Sequence, residues 1–88
     1  MSVAHADEAL SRDAGCAVCH AVDGQLIGPS YKEIATRYAG DAAAPKLLAE
    51  RVRNGSSGVW GQLPMAPTPA DRLSDADLAR LIDWILAR

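Results

Sequence analysis

Apolar residues recur at helical spacing in four stretches of this chain, and no segment sustains the strict alternation of a half-buried strand. The clearest stretch carries Leu78, Leu81, Ile82, Ile85 and Leu86 on one face, with Trp84 widening the stripe. Ser74 stands before it as an N-cap, with Asp77 three residues on. A second pattern has Pro45 near its first turn, points Leu47, Leu48 and Val52 inward and Lys46, Glu50 and Arg53 outward, and stops at Asn54-Gly55. A third begins at Ser30, where Ser30 and Glu33 form a capping-box pair, places Ile34 and Tyr38 on one face, and ends near Ala39 because Gly40 admits a left-handed turn. The first runs from about Asp7 to Gly15 with Leu10 as its apolar anchor. The stretch from Gly55 to Thr68, with Pro64 and Pro67, reads as an ordered loop. The expectation is an all-α fold of four short helices joined by long functional loops.

Size adds a constraint. A chain of 88 residues, 49% hydrophobic, forms one domain with a modest core, and such scaffolds usually need a covalent or metal staple. There is no Phe, and the aromatics are Tyr31, Tyr38, Trp60 and Trp84, so a flat apolar cofactor would fill a shortage of large core side chains. Eleven acids and nine bases are intermixed without a basic stripe, which argues against nucleic acid as a partner. Asp77, Arg80 and Asp83 interrupt the most hydrophobic region, so no membrane span is expected. Ala4-His5-Ala6 matches the small-x-small pattern before a signal-peptidase cut. Residues 1–6 are therefore expected to be a leader and residues 7–88 the domain.

The chemistry concentrates in Cys16-Ala17-Val18-Cys19-His20, a C-x-x-C-H run that reads as a c-type haem attachment site. Residues three apart project from one side of a helical turn, so both sulfurs reach one edge of a porphyrin, with His20 following beneath the iron. The same cysteines are open to three other readings: a thioredoxin-like dithiol, half of a zinc site, or small buried residues. The first wants a βαβ context, and the second lacks a fourth ligand, since the other histidine is His5 in the expected leader. Met65, the one methionine besides the initiator, is the candidate for the second axial position, with His5 or an open iron as alternatives. Its setting, Leu63-Pro64-Met65-Ala66-Pro67, is stiffened by prolines. Thioether formation takes place outside the cytoplasm, so a periplasmic location is expected.

Together with Gly28-Pro29, Asn54-Gly55, Gly58-Val59-Trp60-Gly61 and Pro64-Met65, the C-x-x-C-H run resembles the bacterial class I cytochromes c of the cytochrome c-551 type, from about Asp7 to the C-terminus. The resemblance implies the class I cytochrome c fold around one covalent haem c, with His20 and Met65 as iron ligands. It implies that the carbonyl of Pro29 accepts a hydrogen bond from His20, and that Arg51 and Trp60 bond a haem propionate. The bland alternatives for that last pair are a surface arginine and a packing tryptophan. Where the family carries an asparagine that bonds the methionine sulfur, this chain has Thr68, followed by a slightly longer loop to Ser74.

The implied role is a monomeric one-electron carrier, not an enzyme. It cycles Fe(III) and Fe(II) between a quinol-oxidising complex as donor and a terminal oxidase or nitrite reductase as acceptor. A haem module of a larger oxidoreductase and a haem-based ligand sensor are the alternatives. Ala17, Val18, Ile27, Pro64 and Ala66 form an expected apolar collar suited to brief docking.

Overall fold

The computed structural model describes residues 3–59, 61 and 64–88, with side chains from residue 8 onward. It contains α1 (Val3–Asp13), a 3₁₀ turn (Cys16–Val18), α2 (Tyr31–Arg37), α3 (Ala44–Asn54) and α4 (Asp75–Leu86). No strand occurs among the described residues; the one ladder-like feature is an antiparallel bridge between Ser56 and Met65. The four predicted helices are present and the fold is all-α.

Local chemistry explains the helix ends. The hydroxyls of Ser30 and Ser74 accept from the backbone N–H of Glu33 (3.1 Å) and Asp77 (3.2 Å), capping α2 and α4 as expected. α1 departs from expectation by starting at Val3, inside the expected leader, and ending at Asp13. Ala4, Ala6 and Ala9 are strong helix formers with no breaker among them. Termination follows from Gly15, whose φ of 87° leaves the right-handed region just before the cysteines.

α4 is the platform of the molecule, packing against α1, α2 and α3. Its Leu78, Leu81, Ile82, Trp84 and Ile85 are buried, Leu81 completely, against Ala14, Tyr31, Leu48, Val52 and Leu73. Leu47, expected to point inward, is only half-buried, while Ala44 in the first turn of α3 is completely buried. Arg53 is the larger correction. It was expected on the solvent face, yet it is half-buried and donates to the carbonyls of Thr68 (3.1 Å) and Leu73 (2.8 Å) and to Asp75 (2.7 Å).

Gly55 ends α3 and also admits the loop that follows. Its backbone lies at φ 81°, ψ 171°, a region essentially closed to residues with a Cβ. A Cβ there would stand 2.7 Å from the carbonyl oxygen of Met65 and 3.1 Å from the nitrogen of Pro67. Gly40 shares a positive φ (76°) but has open space around it. Gly55→Ala should therefore cost about 3 kcal/mol in urea unfolding, against about 1 kcal/mol for Gly40→Ala. Equal tolerance at the two positions would show that the loop does not need to lie on Gly55.

Candidate cofactor site

A cavity of about 660 Å³ opens between two runs of chain, one from Ala14 to Ile34 and the other from Leu48 to Arg72, with Leu81, Ile82 and Ile85 of α4 contributing. That volume falls within the range of about 300–1,000 Å³ usual for small-molecule and cofactor sites. Cys16, Cys19, His20, Pro29, Arg51 and Met65, all singled out from sequence, line it. Trp60 lies outside the described residues, as does Leu63 beside Pro64.

The cysteines enter on one tight turn. Backbone N–H groups of Cys19 and His20 both donate to the carbonyl of Cys16, at 3.1 and 2.9 Å. This sets the half-buried Cys16 at the start of the 3₁₀ turn, the half-buried Cys19 at its C-cap, and the imidazole on the next residue. Burial pushes the Cys16 thiol up, opposed by a backbone hydrogen bond and by the charge of Arg72. A raised thiol is the reverse of the activated thiolate that a dithiol redox site requires. The described residues also lack the strands of a βαβ unit, and none of their His, Cys, Asp and Glu side chains cluster as a metal site. The dithiol and zinc alternatives thus find no support there.

His20 is held on several sides. Its Nδ1 lies 2.8 Å from the carbonyl oxygen of Pro29, which can only accept, so Nδ1 carries a proton and, in the neutral ring, Nε2 keeps its lone pair. The loop that brings Pro29 there is tied at its ends: Gly28 N–H donates to Cys19 O (2.8 Å) and Tyr31 N–H to Ala21 O (2.8 Å). Gly28 lies against the imidazole so closely that a Cβ would be 2.5 Å from Cε1. The buried Tyr31 ring stacks with the imidazole, centroids 5.7 Å apart and planes 21° apart, and meets Trp84 edge-on at 5.5 Å. The Tyr31 hydroxyl is paired with Ser11 of α1. Burial pushes its phenol up to about 12 against the lowering effect of that bond, so the ring stays neutral.

Met65 arrives on irregular backbone. Its N–H and carbonyl both pair with Ser56, at 2.7 and 3.0 Å, and three residues later Thr68 N–H donates to Val52 O at 2.8 Å. The half-buried side chain packs against the core cluster. Thr68 is buried and lines the cavity. Arg51 is half-buried, and its Nη1 reaches the Tyr38 hydroxyl at a long 3.5 Å. No carboxylate among the described residues forms an ion pair with Arg51, which lines the cavity wall.

Several contributors escaped the sequence reading. Gly28 and Tyr31 flank His20 only because the loop folds back, although a glycine directly before Pro29 was a signal of close approach. Arg72 lies across Gly15, where a Cβ would be 2.9 Å from its Nη2, and nothing in the linear pattern marks it. Val18 and Ile27, both at the cavity, are 74% and 57% exposed.

Comparisons with known proteins agree with this geometry. Residues 8–88 match the family model described as Cytochrome c. Cytochrome c2 of Rubrivivax gelatinosus is 61% identical over 77 residues, covering 88% of this chain and 91% of that protein. Cytochrome c-551 of Pseudomonas aeruginosa is 43% identical over 81 residues, covering 92% of this chain and 75% of that one. The crystal structure of Nitrosomonas europaea cytochrome c552 superimposes with a TM-score of 0.81 at 44% identity, covering 90% of this chain and 95% of that one. A C-x-x-C-H turn, a histidine with one nitrogen committed to a carbonyl, and a match over nearly the full length lead to one conclusion: the chain belongs to the cytochrome c family, as a bacterial class I member.

Proposed function

We propose that His20 Nε2 and the Met65 sulfur are the two axial ligands of a haem c joined to Cys16 and Cys19, and that the protein passes single electrons between periplasmic redox proteins. Membership of the family makes the chain a monohaem electron carrier, not an enzyme. When bound, the haem supplies reversible Fe(III)/Fe(II) exchange. The residues of the chain do the rest.

The observation that carries the ligand assignment is the 2.8 Å hydrogen bond from His20 Nδ1–H to Pro29 O. It leaves Nε2 as the metal-binding nitrogen and strengthens its donation. Met65, pinned to Ser56 at the wall of the same cavity, offers a soft sulfur, which favours the ferrous state and raises the potential. Arg51 lines that cavity, which supports a role in compensating a haem propionate; for both Arg51 and Trp60 the role itself comes from family resemblance. A quinol-oxidising complex as donor and a terminal oxidase or nitrite reductase as acceptor suit a potential on the oxidising side. No described helix is long and apolar enough to cross a membrane, and the exposed apolar rim at Val18 and Ile27 suits short-lived docking beside the haem edge.

The purified protein should exceed the polypeptide mass by one haem and give the pyridine haemochrome of thioether attachment. Its ferric spectrum should show the far-red band of methionine sulfur on iron, which Met65→Ala should abolish. Persistence of that band in Met65→Ala would refute the ligand assignment.

Thr68 bears on the potential. Its backbone is fixed at both ends, by Val52 and by Arg53, which leaves the side chain beside the cavity. A hydroxyl reaches the methionine sulfur less well than a carboxamide, and a weaker donor leaves more electron density on iron. Redox titration of Thr68→Asn should give a higher midpoint than the parent; an equal or lower one would show that Thr68 does not govern the sulfur.

A further inference from the structure

The chain between Met65 and α4 is fastened at a point where the sequence offers only a charged residue on a helix. We infer that Arg53 is the positioning residue of the Met65 sulfur, acting through Thr68. The inference rests on the reading of Met65 as an iron ligand.

Met65 and Thr68 are separated by Ala66 and Pro67, whose ring fixes one of the few free torsions. A shift at Thr68 is therefore passed to Met65 with little slack. Thr68 is gripped twice by the end of α3: its N–H donates to Val52 O (2.8 Å), and its carbonyl accepts from Arg53 Nη1 (3.1 Å). The same Nη1 donates to Leu73 O at 2.8 Å. One guanidinium nitrogen thus ties both ends of the turn formed by residues 69–72. Thr68 and Leu73 are buried, at 9% and 3% exposure, so neither carbonyl has ready access to water if Arg53 is removed.

Nη2 completes the fork on Asp75 at 2.7 Å, but that carboxylate is 93% exposed. An ion pair with one partner in solvent contributes little. The two carbonyl bonds, not the charge pair, are what hold the turn, and this separates the proposal from a general stabilising role. On the other side of Met65 the only fastening in the described chain is the Ser56 bridge, an isolated pair of hydrogen bonds. Without Arg53 the hydrogen bonds left to the methionine segment among the described residues would be that bridge and the bond to Val52.

The test uses the ferric holoprotein and cyanide, which takes the sixth position on iron only when the sulfur has left. Arg53→Met should tighten apparent cyanide binding about tenfold, about 1.4 kcal/mol, with helix content unchanged. Arg53→Lys, which keeps a charged donor without the fork, should tighten it less. It also serves as the deciding variant if Arg53→Met does not fold. Asp75→Asn should bind cyanide as the parent does. Parental cyanide affinity in the Arg53 variants would overturn the proposal, as would a rise of equal size in Asp75→Asn or one that appears only as helix signal is lost. A parent protein that lacks the methionine band and binds cyanide freely would instead remove the Met65 assignment, and this inference with it.

Discussion

The orientation of one imidazole governs everything else at this site, and it is set by the hydrogen bond from His20 Nδ1–H to the carbonyl of Pro29. That bond decides which ring nitrogen is free and where it points, because a carbonyl cannot donate and, in the neutral ring, the other nitrogen then holds the lone pair. Its neighbours serve the same end. Gly28 gives the ring room, Tyr31 covers it, and the pairing of Tyr31 with Ser11 links the ring to α1. The histidine is thus fixed by packing and hydrogen bonding drawn from three separate parts of the chain, with little freedom left to lose when a cofactor binds.

The methionine side is built differently. Among the described residues it rests on no helix of its own, and depends on backbone pairing at Ser56, contact with Gly55, and the grip of Val52 and Arg53 on Thr68. A segment fastened at intervals opens more readily than one embedded in a core. The two proposed ligands therefore differ in security. The nitrogen is locked, whereas the sulfur is held by a short strap whose fastenings are individually modest.

At the cysteine side of the cavity the surface is apolar at Val18 and Ile27, while the ion pairs Lys32–Asp23, Arg53–Asp75 and Arg80–Asp77 are made by residues that do not line it. Such a small apolar rim favours encounters that end quickly, which a carrier requires, since tight binding would limit its turnover between donor and acceptor.

The linear pattern determined the four helices, their serine caps and the attachment motif, because each depends on residues within one or two turns of one another. Ser30 with Glu33, Ser74 with Asp77, and the cysteines with His20 are all local relations. Met65 was marked out as the one methionine besides the initiator, in a proline-stiffened setting, whereas Pro29 and Arg51 were named through likeness to a family; the fold brings all three to one cavity. What the pattern could not show is who meets whom across the loops. Arg53 looked like a solvent-facing residue because helical periodicity registers the face of its own helix, not the carbonyls that a returning loop presents to it. The contacts of Gly28 with His20, Gly55 with Met65 and Arg72 with Gly15 likewise exist only once distant segments are folded against α4, because close approach is a property of two backbones and is written in neither alone.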